Sequence, residues 1–142
     1  MRHALKLAVV LTLLAVPAIA SAAAGSGPPL AINCNQEQFK PKKIVLACGD
    51  GATWLGKLKW SSWSGSSASA SGTYNAINCT PDCAAGHLKS YPVKVTLSKP
   101  KSCPGQVRRA FKQAALTYTG TRPKGAQAKL TFRCPPSLPG EY

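Results

Sequence analysis

The chain has 142 residues and a formal net charge of +14 at pH 7, from 18 Lys and Arg against only four Asp and Glu. That length suits one ordinary domain after any leader is removed and is too short for two. So few carboxylates leave thin material for acid–base catalysis, and the cationic excess favours acidic partners while saying nothing about fold.

The N-terminus runs from Arg2, His3 and Lys6 through an apolar stretch, Leu7 to Val16, to Pro17 and then Ala20-Ser21-Ala22. A positive start, a short apolar run and small residues are what a signal peptidase reads, so residues 1–22 are expected to be a cleaved signal peptide. The apolar run is shorter than the roughly 20 residues a spanning helix needs. Cys34 lies too far downstream to take a lipid anchor. A secreted, extracellular product is therefore expected. Cleavage would remove Arg2 and Lys6, lowering the formal charge from +14 to +12 on 120 residues.

All six cysteines, Cys34, Cys48, Cys79, Cys83, Cys103 and Cys134, follow the expected cleavage point. An even number in a small exported chain reads as a disulfide framework, because the compartment is oxidising and a small core alone is marginal. Six cysteines leave fifteen pairings open. Cys103 with Cys134 is preferred, since they stand at the outer ends of the C-terminal segment.

After the cleavage point, residues 23–33 are mostly Ala, Gly, Ser and Pro and read as a flexible lead-in. A single β-rich domain is expected over 34–134, followed by an irregular tail, 135–142. Within the domain the dominant period is two, the mark of strands with one face buried. Lys43 to Cys48 reads as a short strand closed by Gly49-Asp50-Gly51. Thr53 to Trp60 puts Trp54, Gly56, Leu58 and Trp60 on one face and Lys57 and Lys59 on the other. From Ser67 to Ile77, alanines, Gly72 and Tyr74 alternate with Ser, Thr and Asn. Tyr91, Val93, Val95 and Leu97 form a further inward set, as do Ala128, Leu130, Phe132 and Cys134. Gln106 to Tyr118 is ambiguous between helix and strand; Ala114 to Thr119 reads as strand, with a helical turn or irregular chain before it. The whole predicts an all-β fold, a small antiparallel sandwich or barrel stapled by disulfides.

Candidates for chemistry are few. His87, Asp50 and Asp82 are the groups from which a hydrolase would have to be built, and no Gly-Xaa-Ser-Xaa-Gly elbow places a serine beside them. Asp50 reads equally as a turn cap and Asp82 as part of a cysteine-closed loop. Cys79, Cys83 and His87 recur every four residues, but Pro81 and Gly86 oppose a helix that would align them on a metal, so no metal or cofactor is expected.

Trp54 and Trp60 read as core, whereas Trp63, in Ser61-Ser62-Trp63-Ser64-Gly65, reads as a partly exposed ring suited to binding. Lys57, Lys59, Lys94, Lys129 and Arg133 fall on wet faces, with Arg108, Arg109 and Lys112 grouped nearby. They form the candidate binding surface, although outward lysines also keep strand edges from pairing. Asn78-Cys79-Thr80 matches a glycosylation acceptor and is discounted because the leader has a bacterial look.

Three stretches, Ile44-Val45-Leu46-Ala47-Cys48-Gly49-Asp50-Gly51, Leu58-Lys59-Trp60-Ser61-Ser62-Trp63 and Cys79-Thr80-Pro81-Asp82-Cys83-Ala84-Ala85-Gly86, are followed by Tyr91-Pro92-Val93. Together they make residues 40–98 similar to a group of secreted actinobacterial proteins of unknown function. The resemblance implies a secreted β-rich domain and supplies no catalytic residues. Cys34, Cys103 and Cys134 are additional to its shared motifs. The expected activity is non-catalytic binding of an anionic cell-envelope polymer or membrane surface, with no specific nucleic acid. The rivals are a small protease inhibitor presenting Thr80-Pro81-Asp82, and a hydrolase using Asp50, Asp82 or His87.

Overall fold

The computed structural model describes residues 27–78, 82 and 85–136; the expected signal segment, Cys79, Cys83 and the last six residues lie outside them. The described chain is all-β: β1 Leu30–Asn33, β2 Gln36–Gln38, β3 Ile44–Val45, β4 Thr53–Trp63, β5 Ser67–Asn78, β6 His87–Ser102, β7 Arg109–Tyr118 and β8 Lys129–Thr131. They form one sheet in the order β2-β1-β7-β6-β5-β4-β3, with β8 paired to β7. Every pair is antiparallel except β1 with β7, which is parallel, so the sheet is mixed where a purely antiparallel one was expected.

The sheet curls into a half-barrel, and its two ends are tied by side chains instead of a ladder. Asn33 at the end of β1 accepts from the Val45 N–H at 2.8 Å, and its amide donates to the Lys43 carbonyl at 3.2 Å. Cys34–Cys48 locks the same junction covalently. Cys103–Cys134, the expected pair, ties the segment after β6 to the segment after β8.

The concave side is the core. Leu55, Leu58, Ala68, Ala70, Val93, Val95, Leu97, Phe111, Ala114 and Leu116 pack there, covered by Trp60, Trp63, Tyr74 and Tyr118. Burying that apolar surface contributes about 25 cal/mol per Å² removed from water. Gly72 on β5 has no room for a side chain: a Cβ there would stand 2.6 Å from the Gly56 carbonyl oxygen.

Several sequence expectations are corrected. The lead-in expected over residues 23–33 is corrected at its end, because Leu30–Asn33 pairs with β7 and β2 and Pro29 is buried; residues 23–26 lie outside the described residues. The strand expected over 43–48 contracts to Ile44–Val45, since both Leu46 and Ala47 turn their N–H groups onto the Thr53 carbonyl. β7 begins at Arg109, five residues before the expected start, and no helix forms there. Trp54 does not share the inward face of Leu58 and Trp60. A bulge between Gly56 and Lys59 shifts the alternation, so Leu55 and Leu58 point inward and Trp54 outward, under the Lys43 ammonium at 4.8 Å.

Tyr74, Tyr91 and Tyr118 meet on the inner side at one end of the sheet. Burial is the main reason that the Tyr118 hydroxyl is pushed up to about 12; Tyr74 adds to the shift and Arg122 opposes it. The folded state therefore keeps a proton that the unfolded chain releases near pH 10, and stability should fall as pH rises from about 10 to about 12. Urea midpoints measured across that window should drop less for Tyr118→Phe than for the native chain. Identical pH profiles would show that Tyr118 does not contribute.

Candidate functional site

Inward residues being apolar, the outward positions of the same strands define the opposite, convex face. On β5 these are Ser67, Ser69, Ser71 and Thr73, with Asn75 buried beyond them in hydrogen bonds to Thr73 and Ser90, and on β6 Lys94, Thr96 and Ser98. The register aligns them into rows. One row reads Lys59, Ser71, Lys94, Thr117 across β4, β5, β6 and β7. The next carries Ser69, Thr96, Ala115 and Lys129, reaching β8. A third holds Ser67, Ser98, Gln113 and Thr131. With strands about 4.8 Å apart, Lys59 and Lys94 stand roughly 10 Å apart across Ser71.

Short Ser, Thr and Ala side chains between long lysines leave shallow depressions. One, of about 360 Å³, is lined by Ser61, Ser69, Ser71, Lys94 and Thr96. Its neighbour, of about 420 Å³, is lined by Ser98, Lys99, Gln113, Lys129 and Thr131. Over a floor that includes Ala70 and Val95 in the first and Ala114, Ala115 and Leu130 in the second, both present hydroxyl and ammonium groups, the second also the Gln113 amide, which can donate to oxyanions and exchange hydrogen bonds with polyols.

Two lysines beside this face hold backbone conformations that L residues avoid. Lys57 and Lys99 each have φ 53°. A side chain in this left-handed region is disfavoured by roughly 1–2 kcal/mol, and glycine relieves the strain. Lys57 sits in the β4 bulge and Lys99 on the rim of the larger depression. Strained residues of this kind concentrate where a side chain is needed for function.

Carboxylates are elsewhere. Glu37 is half-buried on β2, where burial raises its carboxyl pKa against the opposing pull of Lys112 and Arg108. Asp50 caps its own turn by accepting from the Ala52 N–H at 2.9 Å, and Asp82 accepts from the Ala85 N–H at 2.8 Å. No carboxylate lines either depression on the convex face.

The sequence candidates thus divide. Lys59, Lys94 and Lys129 come together on the convex face, with Lys57 beside them in its bulge. Arg133 is exposed but lines a separate depression with both disulfides, through Cys34, Cys48 and Cys134. Trp63 closes β4 instead of lying in a turn. It is half-buried, its indole N–H donates to the Pro29 carbonyl at 2.8 Å, and its ring meets Phe39, Trp60 and Phe111. The indole on the outer side is Trp54. Asp50, Asp82 and His87 are all exposed, and none lines these depressions. Cys79 and Cys83 lie outside the described residues, and among the described residues no group of His, Cys, Asp and Glu is arranged to hold a metal.

Sequence reasoning missed Lys99 and the hydroxyl rows. The serines and threonines were visible as one side of each strand, but only register shows that they line up across five strands. Compared with protein-family models, curated proteins and solved structures, the chain finds no match.

Proposed function

We propose that this chain is an exported, non-catalytic binding domain that holds an anionic cell-envelope polymer on the convex face of its sheet. One observation carries the reading: lysines on alternate strands, interleaved with hydroxyls, on a face that holds no carboxylate among the described residues. Edge protection alone would accept acidic residues there equally well. The leader-like first 22 residues and the two disulfides among the described residues fit an oxidising destination outside the cell. Asp50 and Asp82 are engaged in turn capping, which accounts for them without a catalytic role.

The test is retention of the purified mature protein on anionic envelope material as salt is raised. Charge-driven binding should be strong near about 50 mM salt and weaken by orders of magnitude by about 500 mM, because exposed charges are screened and condensed counterions are released on binding. Absence of retention at low salt, or retention that ignores salt, would dismiss the proposal.

A further inference from the structure

The three lysines united by register are unevenly spaced. Lys59 and Lys94 are two strands apart in one row, whereas Lys129 is two strands further on and one row down. From strand and residue spacings the steps are about 10 Å and about 12 Å, and the run from Lys59 to Lys129 is about 20 Å, directed across the strands. Lys99 flanks the second step, on the rim of the depression that Lys129 also lines. Between the lysines stand Ser71, Thr117 and Thr96.

We infer that this track binds a flexible polyol chain linked by phosphodiesters, laid across β4 to β8 with successive phosphates on Lys59, Lys94 and the Lys99–Lys129 pair. The inference rests on the anionic-polymer reading above and names its ligand. Each ammonium is a compact point charge that takes an isolated oxyanion without needing the planar fork geometry of arginine. Unequal steps suit a chain with many rotatable bonds, which can adjust its charge spacing. A stiff uronate backbone repeats its carboxylates at fixed intervals. Hydroxyls between the lysines match polyol hydroxyls between phosphates. No aromatic ring stands in these rows, so the stacking platform that single-stranded nucleic acid uses is missing from the track.

Lys99 supplies a separate argument. Its left-handed φ of 53° would be relieved by glycine. Lys40 and Lys57 hold a similar angle off the track, so what singles out Lys99 is that it combines this angle with a place on the rim of the depression beside Lys129.

The experiment measures binding of poly(glycerol phosphate) fractions of graded length to the mature protein by calorimetry, with polygalacturonate and inorganic phosphate as comparison probes. A variant carrying Lys59→Ser, Lys94→Ser, Lys99→Gly and Lys129→Ser is compared with an equally discharged control, Lys42→Ser, Lys89→Ser, Arg122→Ser and Lys124→Ser. Urea midpoints establish that both are folded. Affinity should rise with chain length until the polymer spans about 20 Å and then level off. The track variant should lose about 3 units of the log affinity against log salt slope, and the control less than 1.

Lys99→Gly alone should raise the urea midpoint while weakening binding. Equal losses in both fourfold variants would overturn the track yet leave general polyanion binding standing. Equal or tighter binding of polygalacturonate, or effective competition by inorganic phosphate, would overturn the ligand assigned here. Failure of the native protein to bind any polyanion would remove the proposed function itself.

Discussion

Replacing Phe111 by alanine should lower the unfolding free energy by about 3–5 kcal/mol, the range for truncating a large buried aromatic and leaving part of its volume empty. Phe111 is fully buried and the bulkiest such side chain in the described core. It stands on β7 where that strand is flanked on one side by β6, opposite Pro100, and on the other by the parallel β1, opposite Ala31. Its ring meets the edge of Trp63 at a centroid distance of 5.5 Å, and Trp63 in turn touches Trp60 and Phe39. Truncation therefore removes apolar area and also undermines an aromatic chain that reaches from β7 to β4 and to the segment after β2. A small domain has only about 5–15 kcal/mol in hand, so the variant should be partly unfolded at physiological temperature. Phe111→Leu, which keeps most of the volume, should be much milder. Equilibrium urea unfolding of both variants measures this. A loss below about 1 kcal/mol for alanine would mean that the aromatic chain is not the centre of the core.

The position of Phe111 also shows where sequence reasoning stopped. Phe111 and Ala114 both point inward, three residues apart, and so do Leu55 and Leu58. Three-residue steps are read as helical period, or else force a wrong parity onto a strand. In β4 the cause is a pair of bulges: the first, at Lys57, flips the side chains from Leu58 to Trp60 relative to a plain alternation, and the second, between Trp60 and Ser62, flips them back so that Trp63 also points inward. This is why Trp54 was assigned to the inner face. Bulges are betrayed in sequence when glycine occupies the left-handed position, and here a lysine occupies it instead. Where strands run without interruption, as in β5 and the middle of β6, period two placed Ala68, Ala70, Val93, Val95 and Leu97 correctly inside.

The candidate site was half legible for a related reason. Periodicity within a strand tells which residues are wet, and Lys59, Lys94 and Lys129 were recovered that way. It does not tell which wet residue stands beside which, because register depends on turns and bulges far apart in the chain. The uneven lysine track is thus a property of strand pairing. Lys99 could not have been separated from the other surface lysines without its place on the rim of the depression that Lys129 also lines.

Removing Cys103–Cys134 by paired replacement with alanine should lower stability by about 4 kcal/mol, and removing Cys34–Cys48 by about 3 kcal/mol. The estimates follow from the chain entropy that each bond withholds from the unfolded state. The bonds close segments of 31 and 14 residues, so the longer one contributes more. Cys103 is also nearly buried, packed with Ile32 and Ala110 in a small second core, and its replacement leaves space there. The two losses should differ in place as well as in size. Cys34–Cys48 reinforces the junction where the ends of the curled sheet meet through the Asn33 side chain. Its removal should let the Val45 amide, which donates to Asn33, exchange with solvent much faster than the amides of β5 and β6. Loss of Cys103–Cys134 should leave Val45 protected until global unfolding. Urea midpoints give the sizes, and native-state hydrogen exchange gives the places. Equal exchange at Val45 in both variants would show that the junction is held by the core beneath it and not by the disulfide. In either variant that remains folded, the lysine track is untouched and polymer binding should persist.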